Sequence, residues 1–498
     1  MSLTRRSLLL SAAPALLRPQ SARRPNILFV ISDDHSWLHT SAMGDAVVKT
    51  PNFDRVGQHG VLFRNAFCPA PQCAPSRAAT LTGRHIWQLE EAGTHGSLFP
   101  KKHKVYPSLL AEAGYHVGLT GKGAGPCDWR GSGWAHNPAG RAYDIHNVGN
   151  RPEGVSPVDY AANFGEFLKS KPKDRPFCFW LGSHEPHRVY KKGGGVASGK
   201  KLEAVRVPSF LPDVPEVRSD ILDYMTEIEY FDRQLGAAID HVRKLGELQN
   251  TLIVVTADNG MSFPHSKANL YDHGWHLPLA ISWPDRVPGG RTVDDLVSFV
   301  DYAPTYLEAA GLKPSPEMVG RSLMLLLTSK QSGIVDAMRS RVFAGRERHS
   351  HARFDNLGYP ARAIRTPAHL YIHNYKPDRW PAGDPEGYHD IDDGPSKSYM
   401  MEHRNDPKVK PLFDLAYGKR PEEELFDIAK DPGCLRNLAA SQPELRRKLR
   451  AELDALLTKT GDPRMRGSEI FDSYPRTSQI RKELGGFAKR SEYNTKYK

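Results

Sequence analysis

Four short runs of apolar residues constrain the fold of this chain more than any other feature. The runs occupy residues 26–32, 177–181, 251–256 and 279–283. Apolar runs of this length, without polar alternation, are typical of strands buried on both faces of a mostly parallel sheet. Helical patterns lie between them, at residues 106–113, 158–168 and 221–242. Strands that alternate with helices predict an open α/β sheet that is covered by helices on both faces.

The pattern changes after about residue 360. The later features are strand-like alternation at 361–366 and 369–373, a Pro/Gly/Asp-rich stretch at 377–395, and a polar helical pattern at 442–457. At 498 residues the chain is long enough for one large α/β domain with a smaller companion. We therefore predict a first domain over residues 23–360 and an α+β subdomain over 361–498, with the two later strands half-exposed.

Composition and charge exclude several classes of protein. Hydrophobic residues make up 39% of the chain and charged residues 25%, which is the range of ordinary globular proteins. No run approaches the roughly 18 apolar residues of a spanning helix, so no membrane span is expected. The net charge of +11 suits an anionic ligand. Because basic runs interleaved with aromatics, helix-turn-helix patterns and zinc-finger spacings are all missing, nucleic acid is not the expected partner.

The N-terminus has the features of an export signal. Arg5 and Arg6 precede an apolar stretch over residues 8–17, and small residues follow at Ser21 and Ala22. The paired arginines resemble a twin-arginine signal. Residues 1–22 are therefore interpreted as an export signal and the protein as periplasmic or secreted, although a disordered N-terminal tail remains the alternative.

Oxygen-rich side chains follow two of the predicted strands. Asp33 and Asp34 come after the first run, and Asp258 and Asn259 come after the third. In open α/β sheets, ligands bind at the carboxyl ends of the strands. Carboxylate and amide oxygens suit a hard cation, either Ca²⁺ or Mg²⁺. A helix cap and an Asp-Asn-Gly turn are the alternative interpretations of these residues.

The most specific motif is Cys73-Ala-Pro-Ser-Arg-Ala-Ala-Thr-Leu-Thr-Gly-Arg84. Cys-x-Pro-Ser-Arg followed by Leu-Thr-Gly-Arg resembles the signature of the sulfatase family, in which this cysteine is oxidised to formylglycine. Further similarities, in chain order, are Asp33-Asp34, Gly121-Lys122, His184-Glu-Pro-His187, Asp258-Asn-Gly260, Lys267 and Asn269-Leu-Tyr-Asp272. The resemblance spans residues 26 to about 461. It implies an alkaline-phosphatase-like large mixed sheet flanked by helices, and a smaller C-terminal α+β domain.

The resemblance also implies a mechanism and a role for each site residue. Hydrated formylglycine at position 73 is a geminal diol: one hydroxyl attacks sulfur, and loss of the other hydroxyl's proton then releases sulfate. The implied metal ligands are Asp33, Asp34, Cys73, Asp258 and Asn259, with Ca²⁺ favoured over Mg²⁺. The implied catalytic residues are Cys73, Arg77, Lys122, His184 and Lys267. In this assignment Arg77 orients the diol, and Lys122 and Lys267 hold sulfate oxygens. His184 contacts the leaving group. With a divalent ion, three carboxylates and three cations, the site would carry a charge of about +2, which suits a sulfate monoanion.

One departure and one finer similarity refine this expectation. Many sulfatases have a histidine two residues after the lysine that Lys122 matches, whereas this chain has Ala124. His35 and His187 are candidate substitutes. Several strings are most similar to sulfamidases, the heparan N-sulfatases; they are residues 184–188, 258–264, 269–271 and 358–362. The predicted substrate is therefore a sulfated glycan, and the predicted activity is most similar to that of an N-sulfoglucosamine sulfohydrolase. Maturation would need a formylglycine-generating enzyme.

Three other functions remain open from the sequence. They are an O-sulfatase on another sulfated polysaccharide, a phosphoester or phosphonate hydrolase of the same superfold, and a non-catalytic protein that binds sulfated glycans. The four other cysteines allow one or two disulfides, without fixing a pairing. The sequence does not indicate the oligomeric state.

Overall fold

The computed structural model of the chain describes residues 23–385 and 387–477. The proposed export signal, residues 1–22, lies outside the described residues. A large mixed sheet forms the centre of the described part. Its strands are β1 (Asn26–Ser32), β2 (Val61–Phe67), β3 (His116–Gly121), β4 (Arg141–Ala142), β5 (Phe177–Gly182), β6 (Thr251–Ala257), β7 (His276–Ser282), β8 (Arg291–Val293) and β9 (Val297–Ser298).

The order of these strands explains where polar residues can gather. The sheet runs β4-β3-β5-β1-β6-β7-β2-β8, and β9 also pairs with β2. The segment β4-β3-β5-β1-β6 is parallel throughout, whereas β7 is antiparallel to both β6 and β2. The carboxyl ends of β3, β5, β1 and β6 therefore lie along the same edge of the sheet. All four apolar runs form strands, as predicted, and the expected mixed α/β fold is confirmed.

Helices cover both faces of this sheet. The helices of the described residues are, in chain order, α1 (Pro51–Gln58), α2 (Cys73–Thr82), α3 (Tyr106–Glu112), α4 (Tyr160–Ser170), α5 (Gly194–Ala197), α6 (Pro215–Lys244), α7 (Asp272–Trp275), α8 (Tyr302–Ala309), α9 (Met324–Thr328), α10 (Pro395–Glu402), α11 (Lys410–Tyr417), α12 (Pro443–Lys459) and α13 (Ile470–Ser473). Short 3₁₀ helices lie at Ser41–Met43, Ile86–Gln88, Glu90–Gly93, Leu202–Ala204, Phe299–Asp301, Phe354–Asn356 and Pro463–Arg466.

The alternation of side chains along β1 divides the core in two. Phe29 packs on one face against Trp180 of β5 and Tyr302 of α8, with ring centroids 4.7 and 5.9 Å apart. Val30 belongs to the cluster on the other face, together with Phe164 of α4 and Phe231 of α6. Because successive strand residues point to opposite faces, an unbroken apolar run is what a strand covered on both sides requires.

A second, smaller sheet lies on the C-terminal side. It is antiparallel throughout, in the order β10 (Val342–Arg346), β11 (Ala361–Arg365), β12 (His369–Asn374) and β13 (Glu423–Asp427). Its first strand precedes residue 360, and the division of the chain at that residue stays a prediction. The expectation of half-exposed strands is wrong, because β11 is fully buried and only His369 of β12 is partly exposed. The alternating polar residues are buried in ion pairs instead, as with Arg362.

A third packing cluster joins part of the C-terminal region to helix α6. Met400 of α10 and Tyr417 of α11 belong to the same buried cluster as Met225 and Ile228 of α6. The cluster also includes Ile391, from the Pro/Gly/Asp-rich stretch at 377–395. This packing brings the segment that follows Ile391 close to the polar edge of the large sheet.

Two further expectations from the sequence concern membrane-spanning helices and disulfide bonds. Among the helices of the described residues, none is both long and apolar enough to cross a membrane. All five cysteines are within the described residues, and all five are free thiols.

Candidate functional site

The predicted site residues come from several elements that end at one edge of the large sheet. Asp33 and Asp34 follow β1, Asp258 and Asn259 follow β6, Lys122 follows β3, and His184 lies just beyond β5. Cys73 is the first residue of α2. The helix is capped at its C-terminal end by Gly83, a left-handed residue whose N–H donates to the Ala79 carbonyl at 2.8 Å. The strand order thus brings together residues that are up to 226 positions apart in the chain, from Asp33 to Asn259.

Four acidic or thiol side chains meet at this edge. Ligand atoms of Asp33, Asp34, Cys73 and Asp258, called here the acidic cluster, all lie within 4.8 Å of one another. Asp34 has a left-handed backbone, with φ of 62°, which turns the chain out of the sheet. Its N–H donates to Asp258 Oδ1 at 3.1 Å, and Cys73 Sγ lies 3.4 Å from Asp33 Oδ1. This turn lets two adjacent aspartates point the same way, which a continuous strand would prevent.

Three basic side chains pair with these carboxylates. Lys122 forms an ion pair with Asp33, and Lys267 Nζ lies 2.5 Å from Asp34 Oδ2. Arg77 Nε donates to Asp258 Oδ2 at 2.7 Å, and Arg77 Nη1 donates to the Lys122 carbonyl at 2.6 Å. The second terminal nitrogen of Arg77, Nη2, is buried without a hydrogen-bond partner among the described residues. A donor that is buried and unpaired costs free energy, so this nitrogen is suited to a bound acceptor.

Burial and charge act in opposite directions on the acidic cluster. Burial opposes ionisation of Asp33, but Lys122, His187, Arg77 and Lys267 together lower its pKa well below the ordinary value. The pKa of Asp258 is raised, because burial and the nearby Asp33 outweigh the attraction of Arg77. Burial, reinforced by Asp33, also raises the pKa of the Cys73 thiol well above its usual range. The unmodified cysteine is therefore a neutral thiol, which is a poor nucleophile.

The donor set fits a hard divalent cation. Asn259 Nδ2 donates to Asp34 Oδ1 at 2.6 Å, while Asn259 Oδ1 is buried and has no hydrogen-bond partner among the described residues. That orphaned amide oxygen adjoins a carboxylate group, and together they offer an all-oxygen ligand set. A cation between them would satisfy the amide oxygen and relieve the repulsion between carboxylates.

Two histidines lie beside the acidic cluster, and a third is turned away from it. His187 Nε2 is 3.8 Å from Asp34 Oδ2, and its Nδ1 contacts the Arg188 carbonyl at 2.7 Å. His184 lines the adjacent cleft, and burial together with Lys122 lowers its pKa. His35 is buried, with its ring nitrogens near the His39 carbonyl and Ser32 Oγ. Of the two candidate substitutes for the missing histidine, only His187 reaches a carboxylate of the cluster.

A cleft of about 720 Å³ opens beside these residues. Its lining includes Asp33, Lys122, His184, His187 and Arg151. The volume is that of a site for a small organic ligand such as a monosaccharide or disaccharide. The cleft therefore gives a ligand access to Lys122 and Asp33 of the site.

The sequence analysis missed one charged residue of this site. Asp392 Oδ2 lies 3.3 Å from Lys267 Nζ, although the two residues are 125 positions apart. The local signal was three acidic residues, Asp390, Asp392 and Asp393, within the Pro/Gly/Asp-rich stretch. Such clusters are common in solvated loops, so sequence alone gave no reason to assign this one to the site.

Comparison with known proteins identifies the family. A family model described as Sulfatase matches residues 25–312, which is more than half of the chain. The chain belongs to the sulfatase family. This sulfatase also matches a model described as N-sulphoglucosamine sulphohydrolase, C-terminal, over residues 263–398. The resemblance drawn from the cysteine motif is thus confirmed, and the protein is a hydrolase of sulfate esters or sulfamates.

Individual relatives are similar over most of their lengths. An ulvan-active sulfatase of Formosa agariphila is 28% identical over 476 residues, covering 88% of this chain and 76% of the relative. The N-sulphoglucosamine sulphohydrolase of Homo sapiens is 26% identical over 502 residues, covering 89% and 91%. A structure solved in complex with its substrate D-glucosamine-2-N,6-O-disulfate superposes with a TM-score of 0.65 at 20% identity, covering 88% of this sulfatase and 99% of that chain. The last similarity supports the fold.

Proposed function

We propose that this sulfatase removes a sulfo group from a glycan, and that its preferred substrate carries an N-sulfated glucosamine. One observation carries the proposal: Cys73 begins a buried helix with its sulfur 3.4 Å from Asp33, inside a cluster of three carboxylates and three cations. The N-sulfated substrate is supported by the match to the sulphohydrolase C-terminal model and by the human relative's name.

We propose that Cys73 is oxidised to formylglycine by a formylglycine-generating enzyme. Hydrated formylglycine supplies an oxygen nucleophile that the neutral, buried thiol does not. Arg77 would hold that group through Nη2, the nitrogen that has no partner among the described residues. Its other nitrogens are fixed by Asp258 and by the Lys122 carbonyl, so the guanidinium is preorganised for this contact.

We assign the metal ligands to Asp33, Asp34, Asp258, Asn259 and the modified residue 73, and the metal to Ca²⁺. A bound divalent ion supplies Lewis-acid polarisation of its oxygen ligands. A cage built largely from protein carboxylates suits Ca²⁺, since Mg²⁺ usually retains several waters. The three aspartates contribute a charge of −3 to this site, and a divalent ion would offset two of those negative charges.

The remaining side chains would bind the sulfo group and protonate the leaving atom. Lys122 and Lys267 project their ammonium groups beside position 73, where they can neutralise the sulfo oxygens. His184 lines the cleft, and a ring N–H there can donate to the nitrogen or oxygen that leaves sulfur. Export to the periplasm or outside the cell, through residues 1–22, is part of the same proposal.

The test is sulfate release from two monosaccharides, glucosamine N-sulfate and glucosamine 6-O-sulfate. The enzyme is co-produced with a formylglycine-generating enzyme, and Cys73→Ala and Cys127→Ala are assayed beside it. We expect release from the N-sulfated sugar, lost in Cys73→Ala and kept in Cys127→Ala, whose cysteine lies outside the acidic cluster.

Other outcomes separate the alternatives. Preference for the 6-O-sulfated sugar would make the protein an O-sulfatase and overturn the N-sulfate assignment. Faster hydrolysis of a phosphate ester than of the matched sulfate ester would favour the phosphoester alternative. Sugar binding without turnover, with an intact thiol at position 73, would favour a protein that binds sulfated glycans.

A further inference from the structure

Asp392 brings a carboxylate from the C-terminal region to the edge of the proposed sulfo-binding site. Its Oδ2 lies 3.3 Å from Lys267 Nζ. Ligand atoms of Asp34, His187 and Asp392 all lie within 4.8 Å of one another. None of the roles assigned above to metal, sulfo group or leaving atom uses this carboxylate.

The segment that carries Asp392 is fixed on both sides. Asp390 is buried, with its carboxylate 2.5 Å from Arg353 and 3.1 Å from Arg346. Ile391 is 1% exposed and packs in the cluster that includes Met400. These contacts hold the backbone on the N-terminal side of Asp392, so the carboxylate is positioned before any ligand binds.

The C-terminal side of the segment is fixed as well. Ser396, near the start of α10, donates its backbone N–H to Asp220 Oδ2 at 3.0 Å. Asp220 is itself held by two hydrogen bonds from Arg188, each 2.7 Å long. A carboxylate presented by a rigid support loses little conformational entropy when it accepts a hydrogen bond from a ligand.

A second metal ion is a poor explanation for this cluster. Lys267 Nζ is 2.5 Å from Asp34 and 3.3 Å from Asp392, so an ammonium group already occupies the position between the two carboxylates. The ammonium uses only part of what an ionised carboxylate can accept, since its two oxygens have about four lone-pair positions. Asp392 therefore retains capacity for a neutral donor.

Solvent exposure distinguishes Asp392 from Lys267 and Asp34, the two charged residues beside it. Its side chain is 23% exposed, whereas those of Lys267 and Asp34 are 1% and 0% exposed. Of the two carboxylates that flank Lys267, Asp392 is the one that a ligand can reach. With a divalent ion bound, the Asp392 carboxylate also lowers the net charge of the site from about +2 to about +1. That net charge suits one singly charged sulfo group but does not favour a second anion beside it.

We propose that Asp392 determines specificity, by accepting a hydrogen bond from a neutral hydroxyl vicinal to the sulfo-bearing position and by repelling a second sulfate there. Like charges placed together in an interface are an effective means of rejecting an alternative ligand. In a glycan whose sugar is sulfated on the C2 nitrogen, C1 is engaged in the glycosidic bond, so the vicinal hydroxyl is the one on C3. This inference rests on the proposed function.

The experiment compares Asp392→Asn with Asp393→Asn. Asp393 is the next residue, 73% exposed, and its carboxylate pairs with Lys397 at 2.8 Å. The substrates are glucosamine N-sulfate and glucosamine N,3-O-disulfate. We expect Asp392→Asn to lower the ratio of kcat/KM for the first sugar over the second at least 10-fold, mainly through KM, and Asp393→Asn to leave it unchanged.

A structural role would give a different result. Equal losses on both sugars, or an unchanged ratio in Asp392→Asn, would overturn the proposal. If the parent enzyme turns over neither sugar, the proposed function fails, and the dissociation constants of the same two sugars for the unmodified protein decide the Asp392 proposal. The same 10-fold change in the ratio of dissociation constants supports it, and an unchanged ratio or no binding of either sugar overturns it.

Discussion

The acidic cluster at the edge of the large sheet can be compared with a second cluster of charged side chains, which is buried at the small sheet. The second, called here the arginine cluster, consists of Glu347, Arg362, Asp462 and Arg464. Arg362 binds Asp462 at 2.6 Å and Glu347 at 2.8 Å, and Arg464 binds Glu347 at 2.6 Å. Two positive and two negative charges thus alternate, and none of their buried polar atoms within the described ranges lacks a partner.

The acidic cluster is equally buried but is not closed. Its carboxylates lie within 4.8 Å of one another, and the adjoining Asn259 Oδ1 and Arg77 Nη2 have no hydrogen-bond partners among the described residues. Burial opposes ionisation in both places. Nevertheless Arg464 and Arg362 lower the pKa of Glu347, whereas the pKa of Asp258 is raised. In a saturated ion cluster every buried charge already has its partner, whereas a cluster with unsatisfied buried atoms is suited to hold a ligand.

The largest expected effect is on activity, from a change in the acidic cluster. Asp258→Asn removes a carboxylate from the proposed metal site and the partner of Arg77, so we expect kcat/KM to fall by about 10³-fold or more, equivalent to roughly 4 kcal/mol. The measurement is sulfate release, with metal content determined on the same sample. A variant that keeps a tenth of the activity would mean that the acidic cluster is not the catalytic metal site.

The next effect is on stability, from a change in the arginine cluster. Arg362→Met leaves two buried carboxylates short of a partner, so the free energy of unfolding should fall by about 3–5 kcal/mol. Denaturant unfolding measures it. The control is Arg447→Met, an exposed arginine of α12 paired with Glu444, which should change stability by less than about 1 kcal/mol. If Arg362→Met instead abolished turnover in fully folded protein, the assignment of stability to the arginine cluster and of activity to the acidic cluster would be wrong.

A third prediction concerns the carboxyl group of Glu227, which is buried beside other acidic residues rather than beside an arginine. Burial, with Glu185 and Asp223 nearby, raises the pKa of Glu227 of α6 to about 8. The unfolded chain ionises at its ordinary, lower pKa, so stability is greatest in acid and is lost as the pH rises towards 8. Glu227→Gln should therefore be more stable than the parent at pH 7 by about 3 kcal/mol, and no more stable at pH 4.

The control for this prediction is Glu216→Gln, at the exposed start of the same helix. It should follow the parent's pH dependence between pH 4 and pH 8. Urea unfolding at several pH values provides the measurement. Parallel curves for the parent and Glu227→Gln would show that Glu227 is ionised in the folded protein at neutral pH.

The smallest of these effects is the response to metal removal. A ligand that binds only the folded state at 100 times its dissociation constant adds about 2.7 kcal/mol. A chelator should therefore lower the Tm by several degrees, and Ca²⁺ should restore it at lower concentration than Mg²⁺. Asp258→Asn should show little change in Tm on chelation. A parent Tm that is insensitive to the chelator would contradict a metal in the acidic cluster.

The sequence predicted the large sheet and most of its polar edge because both have local signals. Unbroken apolar runs such as residues 26–32 need no partner to be recognised, and Asp33-Asp34 follows directly. Four of the five predicted ligand residues, Asp33, Asp34, Cys73 and Asp258, do converge, and the fifth, Asn259, is hydrogen-bonded to Asp34. Their roles as ligands stay a prediction until a metal is measured.

What the sequence could not predict depends on packing between distant segments. Arg362 lies in a polar alternation that is typical of a half-exposed strand, yet Glu347 and Asp462 make its burial possible. Asp392 lies in an irregular stretch, and it reaches Lys267 because Ile391 and α10 pack near α6. Neither pairing has a signal in the neighbouring residues, since each depends on where another element of the chain folds.

The central claim is that residue 73, once oxidised, is the nucleophile of this sulfatase. The most direct test measures the fraction of Cys73 converted to formylglycine, by peptide mass, in a series of preparations made with increasing amounts of a formylglycine-generating enzyme. Each preparation is then assayed for sulfate release. The account predicts activity proportional to the converted fraction, extrapolating to zero at zero conversion and absent from Cys73→Ala. Activity that is independent of conversion, or that survives in Cys73→Ala, would contradict it.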